Sequence, residues 1–203
     1  MTTLHIISTG RQPLDKFVDK IRQIHHEIDY IHLRERSWTA KQYISAINQM
    51  LEMGVPKTKI IINDRVDIAV TQDVGTVQLA SHSIDVKEVK NKFPHLQIGS
   101  SVHCAKEAVE REKDRADYLV FGHVFETSSK PGLPSRGIKQ LEEVVNQVTI
   151  PVIAIGGITP SNVHSLLPVG IGGIAVLSGV LLAEDSQAAV IKYRKALMGN
   201  EVN

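Results

Sequence analysis

Cysteine is almost absent: Cys104 is the only one in 203 residues. That excludes an intramolecular disulfide and thiol metal sites of the two- or four-cysteine kind, and Cys104 itself reads as a packing residue. Long hydrophobic runs are also missing. No apolar stretch approaches the ~20 residues a membrane helix needs, so no membrane partner is expected. Neither charge sign dominates, because 23 basic and 22 acidic side chains leave a formal net charge of +1. This balance argues against nucleic acid as a partner, although a local basic site remains compatible with it. The first residues show no basic region followed by an apolar stretch, and nothing in the chain reads as a linker or low-complexity tract. The expectation is a cytoplasmic protein with one domain over residues 1–203. A chain of this size buries about 70% of its unfolded surface and needs no staples.

What is present is a regular alternation. Short β-branched runs occur at Leu4–Ser8, Ile28–Arg34, Lys59–Asn63, Thr76–Ala80, Leu96–Val102, Asp117–Gly122, Ile150–Ile155 and Gly173–Ser178. Most are nearly continuous apolar segments, as in strands buried on both faces of a parallel sheet. Amphipathic patterns lie between them, for example Leu14, Phe17, Val18, Ile21 and Ile24. Gly54 marks a helix stop, Asp185-Ser186 a helix start, and Thr159-Pro160 an N-cap with proline at the first helical position. Eight strand–helix units predict a closed (β/α)8 TIM barrel with short loops, since such barrels typically need about 250 residues.

Function in that fold gathers at the C-terminal ends of the strands. Gly156 and Gly157 follow the seventh strand, and Ser178 and Gly179 follow the eighth. Loops at these places commonly bind phosphate, though the glycines also suit plain tight turns. Arg34 and Arg36 share one face at the end of the second strand, as period two requires. They suit a carboxylate, phosphate or pyrophosphate, or else form a surface cluster or an ion pair with Asp64. Asn63-Asp64 ends the third strand. Asp64 is open to three roles, metal ligand, base or salt-bridge partner of Arg34, and the last leads because no second carboxylate is evident at a nearby strand end.

After the sixth strand comes Phe121-Gly122-His123-Val124-Phe125-Glu126-Thr127-Ser128-Ser129-Lys130. His123 is placed for proton transfer at neutral pH, or is a hydrogen-bonded, unreactive ring. Thr127, Ser129 and Lys130 make a polar loop able to close on an anion. Ser101 and His103 share a face at the end of the fifth strand. His5 and His32 fall within strands and are expected inside. No zinc spacing is found among the histidines, so no metal is expected.

Taken together, these segments resemble the thiamin phosphate synthase superfamily over nearly the whole chain. The synthase pattern Gln-x-Arg-x-Lys aligns with His32, Arg34 and Arg36, Asn-Asp with Asn63-Asp64, and Ser-x-His with Ser101-Val102-His103. The sixth-strand loop of the synthases aligns with Gly122 through Lys130, and their Gly-Ile-Gly-Gly-Ile with Ala154 through Ile158. The departures are Ser83 in place of a second magnesium aspartate, and His123 in place of a proline. With these departures the chain resembles the thiazole tautomerase (TenI) branch. That resemblance implies an isomerase that aromatises a carboxythiazole ethyl phosphate tautomer, with His123 moving the proton and no cofactor required. Arg34, Arg36, Asn63, Ser101, Thr127, Ser129 and Lys130 would bind substrate. Gly156, Gly157, Ser178 and Gly179 would hold the phosphate. The small-molecule thiazole phosphate is the expected partner, and a homo-oligomer is left open. The alternatives are thiamin phosphate synthase, a transferase, and a non-catalytic regulator that binds a phosphorylated ligand.

Overall fold

The eight apolar runs form eight parallel strands, and they close on themselves in chain order. The computed structural model describes residues 2–129 and 132–199. Its strands are β1 (Thr3–Ile7), β2 (Tyr30–Leu33), β3 (Ile60–Asn63), β4 (Thr76–Leu79), β5 (Gln97–Val102), β6 (Tyr118–Gly122), β7 (Val152–Ile155) and β8 (Gly173–Val176). The helices are α1 (Leu14–Ile24), α2 (Ala40–Glu52), α3 (Val66–Thr71), α4 (Val86–Lys92), α5 (Ala105–Lys113), α6 (Gly137–Gln147), α7 (Ser178–Leu181) and α8 (Ser186–Leu197). β8 returns beside β1, with Leu4 opposite Ile174, so the sheet is a (β/α)8 barrel without an edge. Among the described residues no helix is long and apolar enough to cross a membrane.

Period two divides the strand residues between two cores. Leu4, Ile6, Ile31, Leu33, Ile60 and Ile62 face the helices and join the large core between sheet and helix layer. Ile7, Val120, Ile153 and Ala175 form a second, smaller core inside the barrel. Polar groups share the inner surface with it: His5, His32 and Gln78 are buried there, at 3%, 0% and 4% exposure. This asymmetry brings polar groups up through the barrel to its mouth.

Local signals set most helix ends. Thr39 and Gln42 make a reciprocal capping box at α2, and Gly54, at φ 83°, follows its last turn. The Asp185 carboxylate accepts the Ala188 N–H at 2.8 Å and starts α8. The expected helix at Thr159-Pro160 does not form. Two 3-10 turns, Val163–Ser165 and Leu167–Val169, replace it. Pro168 lacks the N–H a longer helix would need, and Asn162 ties the segment back by accepting the Thr159 N–H and donating to Gly157 O. Cys104 is exposed at the start of α5, so it is not the packing residue expected.

Candidate active site

The C-terminal ends of the strands open into a cavity of about 620 Å³. Arg34, Arg36, Asn63, Ser101, His123, Thr127, Ser129, Gly156, Gly157, Ser178 and Gly179 all line it. The remaining site residue expected from sequence, Lys130, lies outside the described residues. A smaller cavity of about 410 Å³ adjoins it, sharing Arg34, Arg36 and Asn63 and adding Asp64 and Arg65.

The cationic side is built on the turn after β2. The Arg34 N–H donates to the Ser8 hydroxyl at 2.7 Å, which ties this turn to the end of β1. Buried Glu35 forms no ion pair with either guanidinium group, although its charge acts on Arg34 and partly opposes the lowering of its pKa. Its carboxylate accepts the Gly10 N–H at 3.1 Å, and its backbone is clasped by the Tyr43 hydroxyl, which donates to Glu35 O at 3.0 Å. Among the described residues neither Arg34 nor Arg36 has a carboxylate partner. The expected Arg34–Asp64 ion pair is therefore absent. Asp64 instead lies 4.0 Å from His82 Nε2, because its backbone turns outward at φ 67°. Partial burial, and secondly the neighbouring Arg36 charge, lower the Arg34 pKa from its ordinary value. Two cations held close together without an ion-pair partner favour binding an anion.

The glycine side joins the loops after β6, β7 and β8. Gly156 and Gly157 take φ of 99° and 65°, and a Cβ on either would overlap the β6 loop. A Cβ on Gly179 would overlap the hydroxyl of Tyr193, which itself donates to Ile158 O at 2.9 Å. The glycines thus allow close packing of three loops and leave backbone, not side chains, facing the cavity.

Between the two sides lie His123, Asn63, Ser101 and Gln78. His123 is buried at 6% exposure, with Nε2 3.1 Å from Leu133 O and Nδ1 without a partner among the described residues. Because a carbonyl only accepts, Nε2 carries the proton in that contact. Gln78 donates to the Ser101 hydroxyl at 3.1 Å, while its Oε1 is buried without a partner among the described residues. Sequence reasoning missed Gln78 and Arg65. The signal for Gln78 was a polar residue between Val77 and Leu79 in an otherwise apolar strand; Arg65 reaches the site only through the fold.

Residues 4–180 match the family model described as thiamine monophosphate synthase. The chain belongs to that family. A thiamine-phosphate synthase of Pyrococcus furiosus is 42% identical over 134 residues, which cover 66% of this chain and 65% of that protein. The matched stretch is therefore slightly under two thirds of that relative's length. Thiamine-phosphate synthase 2 of Streptococcus pneumoniae is 32% identical over 172 residues, covering 84% of this chain and 82% of its own. Among solved structures, thiamine phosphate pyrophosphorylase from Pyrococcus furiosus superposes with a TM-score of 0.85 at 32% identity, over 97% of this chain and 96% of that one.

These relatives correct one expectation. Curated members of the thiamine monophosphate synthase family between 31% and 42% identical to this chain are named for synthesis of thiamine phosphate. The tautomerase reading is overturned, and with it the isomerase role of His123. The substitutions at Ser83 and His123 that prompted it are differences within a family of synthases, and His123 already engages one ring nitrogen with the loop carbonyl of Leu133.

Family resemblance also implies magnesium held by two carboxylates, and the residues present do not build that site. Asp64 is one carboxylate; Ser83 stands at the second position, with its hydroxyl accepting the Ala80 N–H at 2.8 Å. Such a hydroxyl adds no charge to offset a divalent cation.

Proposed function

We propose that this chain is a thiamine-phosphate synthase, a transferase acting on two small phosphorylated molecules. It joins a thiazole phosphate to an aminopyrimidine that carries pyrophosphate. The thiazole nitrogen bonds to the pyrimidine's exocyclic carbon as the bond from that carbon to the pyrophosphate oxygen breaks, and the electron pair leaves with pyrophosphate. The observation that carries this reading is the presence of two anion-receptive regions on one cavity, Arg34 and Arg36 on one side and the glycine backbones on the other. Two guanidinium groups side by side match the several charges of a pyrophosphate, and the separate glycine side leaves a place for the phosphate of the second reactant.

In this reading Gly156, Gly157, Ser178 and Gly179 hold the thiazole phosphate. Arg34 and Arg36 hold the pyrophosphate and stabilise the charge that develops on it, while Arg65, across the smaller cavity, is already paired with Asp67 at 2.6 Å. Ser101 and Asn63 orient the rings between the anchors. Thr127, Ser129 and Lys130 complete the binding of the anions. A cytoplasmic setting belongs to the same reading.

The test is direct. Purified protein is mixed with both reactants and magnesium, and thiamine phosphate and pyrophosphate are quantified. Equimolar formation of the two products well above the background without protein is expected. No product under conditions in which a synthase relative turns over would overturn the assignment.

A further inference from the structure

Running up the inside of the barrel is a chain of hydrogen-bonded side chains that ends on Asn63 and whose other members have no role in the transfer reaction as described. Thr3 Oγ1 lies 2.9 Å from His5 Nε2, His5 Nδ1 lies 2.9 Å from His32 Nε2, and His32 Nδ1 lies 3.2 Å from the Asn63 carboxamide atom placed as Oδ1. At the far end the Thr3 hydroxyl donates to Gly172 O at 3.1 Å. Both rings are buried, His5 at 3% and His32 at 0% exposure. Burial holds the pKa of His32 down at about 4 and that of His5 well below its ordinary value. At neutral pH each ring therefore carries one N–H and one lone pair.

Such a chain has a direction. With the Thr3 hydroxyl donating to Gly172 O, Thr3 Oγ1 accepts from His5 Nε2–H. The lone pair on His5 Nδ1 then accepts from His32 Nε2–H, and the lone pair on His32 Nδ1 needs a donor. Only the amide NH2 of Asn63 supplies one, and a carboxamide turned by 180° occupies the same space, so its orientation follows from its partners. This direction makes four hydrogen bonds. The reverse makes three, because the Thr3 hydroxyl would turn from Gly172 O to His5.

We propose that Thr3, His5 and His32 are positioning residues that hold Asn63 with its NH2 toward His32 and its carbonyl oxygen toward the cavity. Asn63 lines both cavities, so it offers a fixed acceptor to an N–H donor on a ligand. The donor class is an amino group on a heteroaromatic ring. That identification rests on the transferase reading above, whereas the relay itself does not.

The relay is tested on the intact chain by ¹⁵N NMR of the histidine rings at pH 7. Both His5 and His32 are expected as Nε2–H tautomers. An Nδ1–H form or a doubly protonated ring at either position would overturn the proposal. A Thr3→Val variant keeps the shape and the backbone N–H but removes the hydroxyl. It is expected to change the His32 ring signals and to raise KM for the aminopyrimidine reactant several-fold at nearly constant kcat, with Thr3→Ser restoring both. Unchanged His32 signals refute the coupling, and an unchanged KM refutes the acceptor role of Asn63. If the protein makes no thiamine phosphate at all, the transferase reading fails, while the tautomers still decide the relay.

Discussion

Gly156 meets His123 backbone to backbone at the mouth of the barrel, so closely that a Cβ on Gly156 would overlap the Cβ of His123 and lie 2.7 Å from its Cα. The contact is one of several that join the loops after β6 and β7. Val124 N–H donates to Ile155 O at 2.9 Å, and Phe125 N–H to Gly156 O at 3.0 Å. The position of His123 in the cavity therefore depends on a residue with no side chain in the neighbouring loop.

Substituting Gly156→Ala is expected to be strongly disruptive. The new methyl group meets the His123 backbone, and alanine resists φ of 99°. Strain of this kind costs about 1–3 kcal/mol, and overpacking a similar amount. Urea unfolding should show a loss of roughly 2 kcal/mol or more, and calorimetry should show weaker binding of a phosphorylated ligand. Wild-type stability would mean that the two loops separate without cost.

The His123→Asn variant should retain the fold and lose the contact with Leu133 O. A single neutral hydrogen bond contributes about 1 kcal/mol. The expected result is a similarly small drop in stability, with faster proteolytic cleavage between residues 124 and 136. Formation of thiamine phosphate should fall far less than it does in the arginine variants below. An equal or larger loss of activity would return His123 to the centre of the chemistry.

For Arg34→Gln, the affected step is anion binding. Hydrogen bonds to charged groups contribute about 1.5–3 kcal/mol, so affinity for inorganic pyrophosphate should fall about ten- to a hundredfold by titration calorimetry. Arg36→Gln should behave alike but more mildly, since Arg36 is the more exposed of the two. Affinity for a simple phosphate monoester at the glycine side should be largely preserved. Loss of both affinities together would show that the regions are not separate.

Stability should depend on pH through His32. Its folded pKa is depressed to about 4, below the ordinary 6.5, because burial disfavours the cation. Between these values the unfolded chain binds the proton that the folded chain refuses. This contribution is complete above pH 6.5 and is lost as pH falls toward 4, about 3 kcal/mol in all. The urea midpoint of the wild type should fall over that window, and that of His32→Gln should fall less. Parallel curves would show that His32 is protonated without cost.

Much of the fold could be read along the chain. All eight strands lie where the apolar β-branched runs predicted them, because strands buried on both faces need no partner to betray their pattern. Strand ends then picked out Arg34, Asn63, Ser101, His123 and Gly156, and the structure brings these around one cavity. Reading failed where a local signal competed with a longer-range one. Thr159-Pro160 has the form of a helix start, yet Pro168 and the Asn162 side chain restrict that segment to 3-10 turns. Asp64 looked paired with Arg34, but a left-handed backbone turns it toward His82.

By itself, then, the sequence determined the barrel, the order of its strands and the end at which chemistry gathers, because periodicity and strand polarity are properties of neighbours along the chain. Only the tertiary structure decided that His5 meets His32 across 27 residues, that Gln78 faces Ser101, and that Gly156 makes room for His123. Those contacts depend on the register with which eight strands close into a ring, and the hydrogen bonds setting that register join residues far apart in the chain.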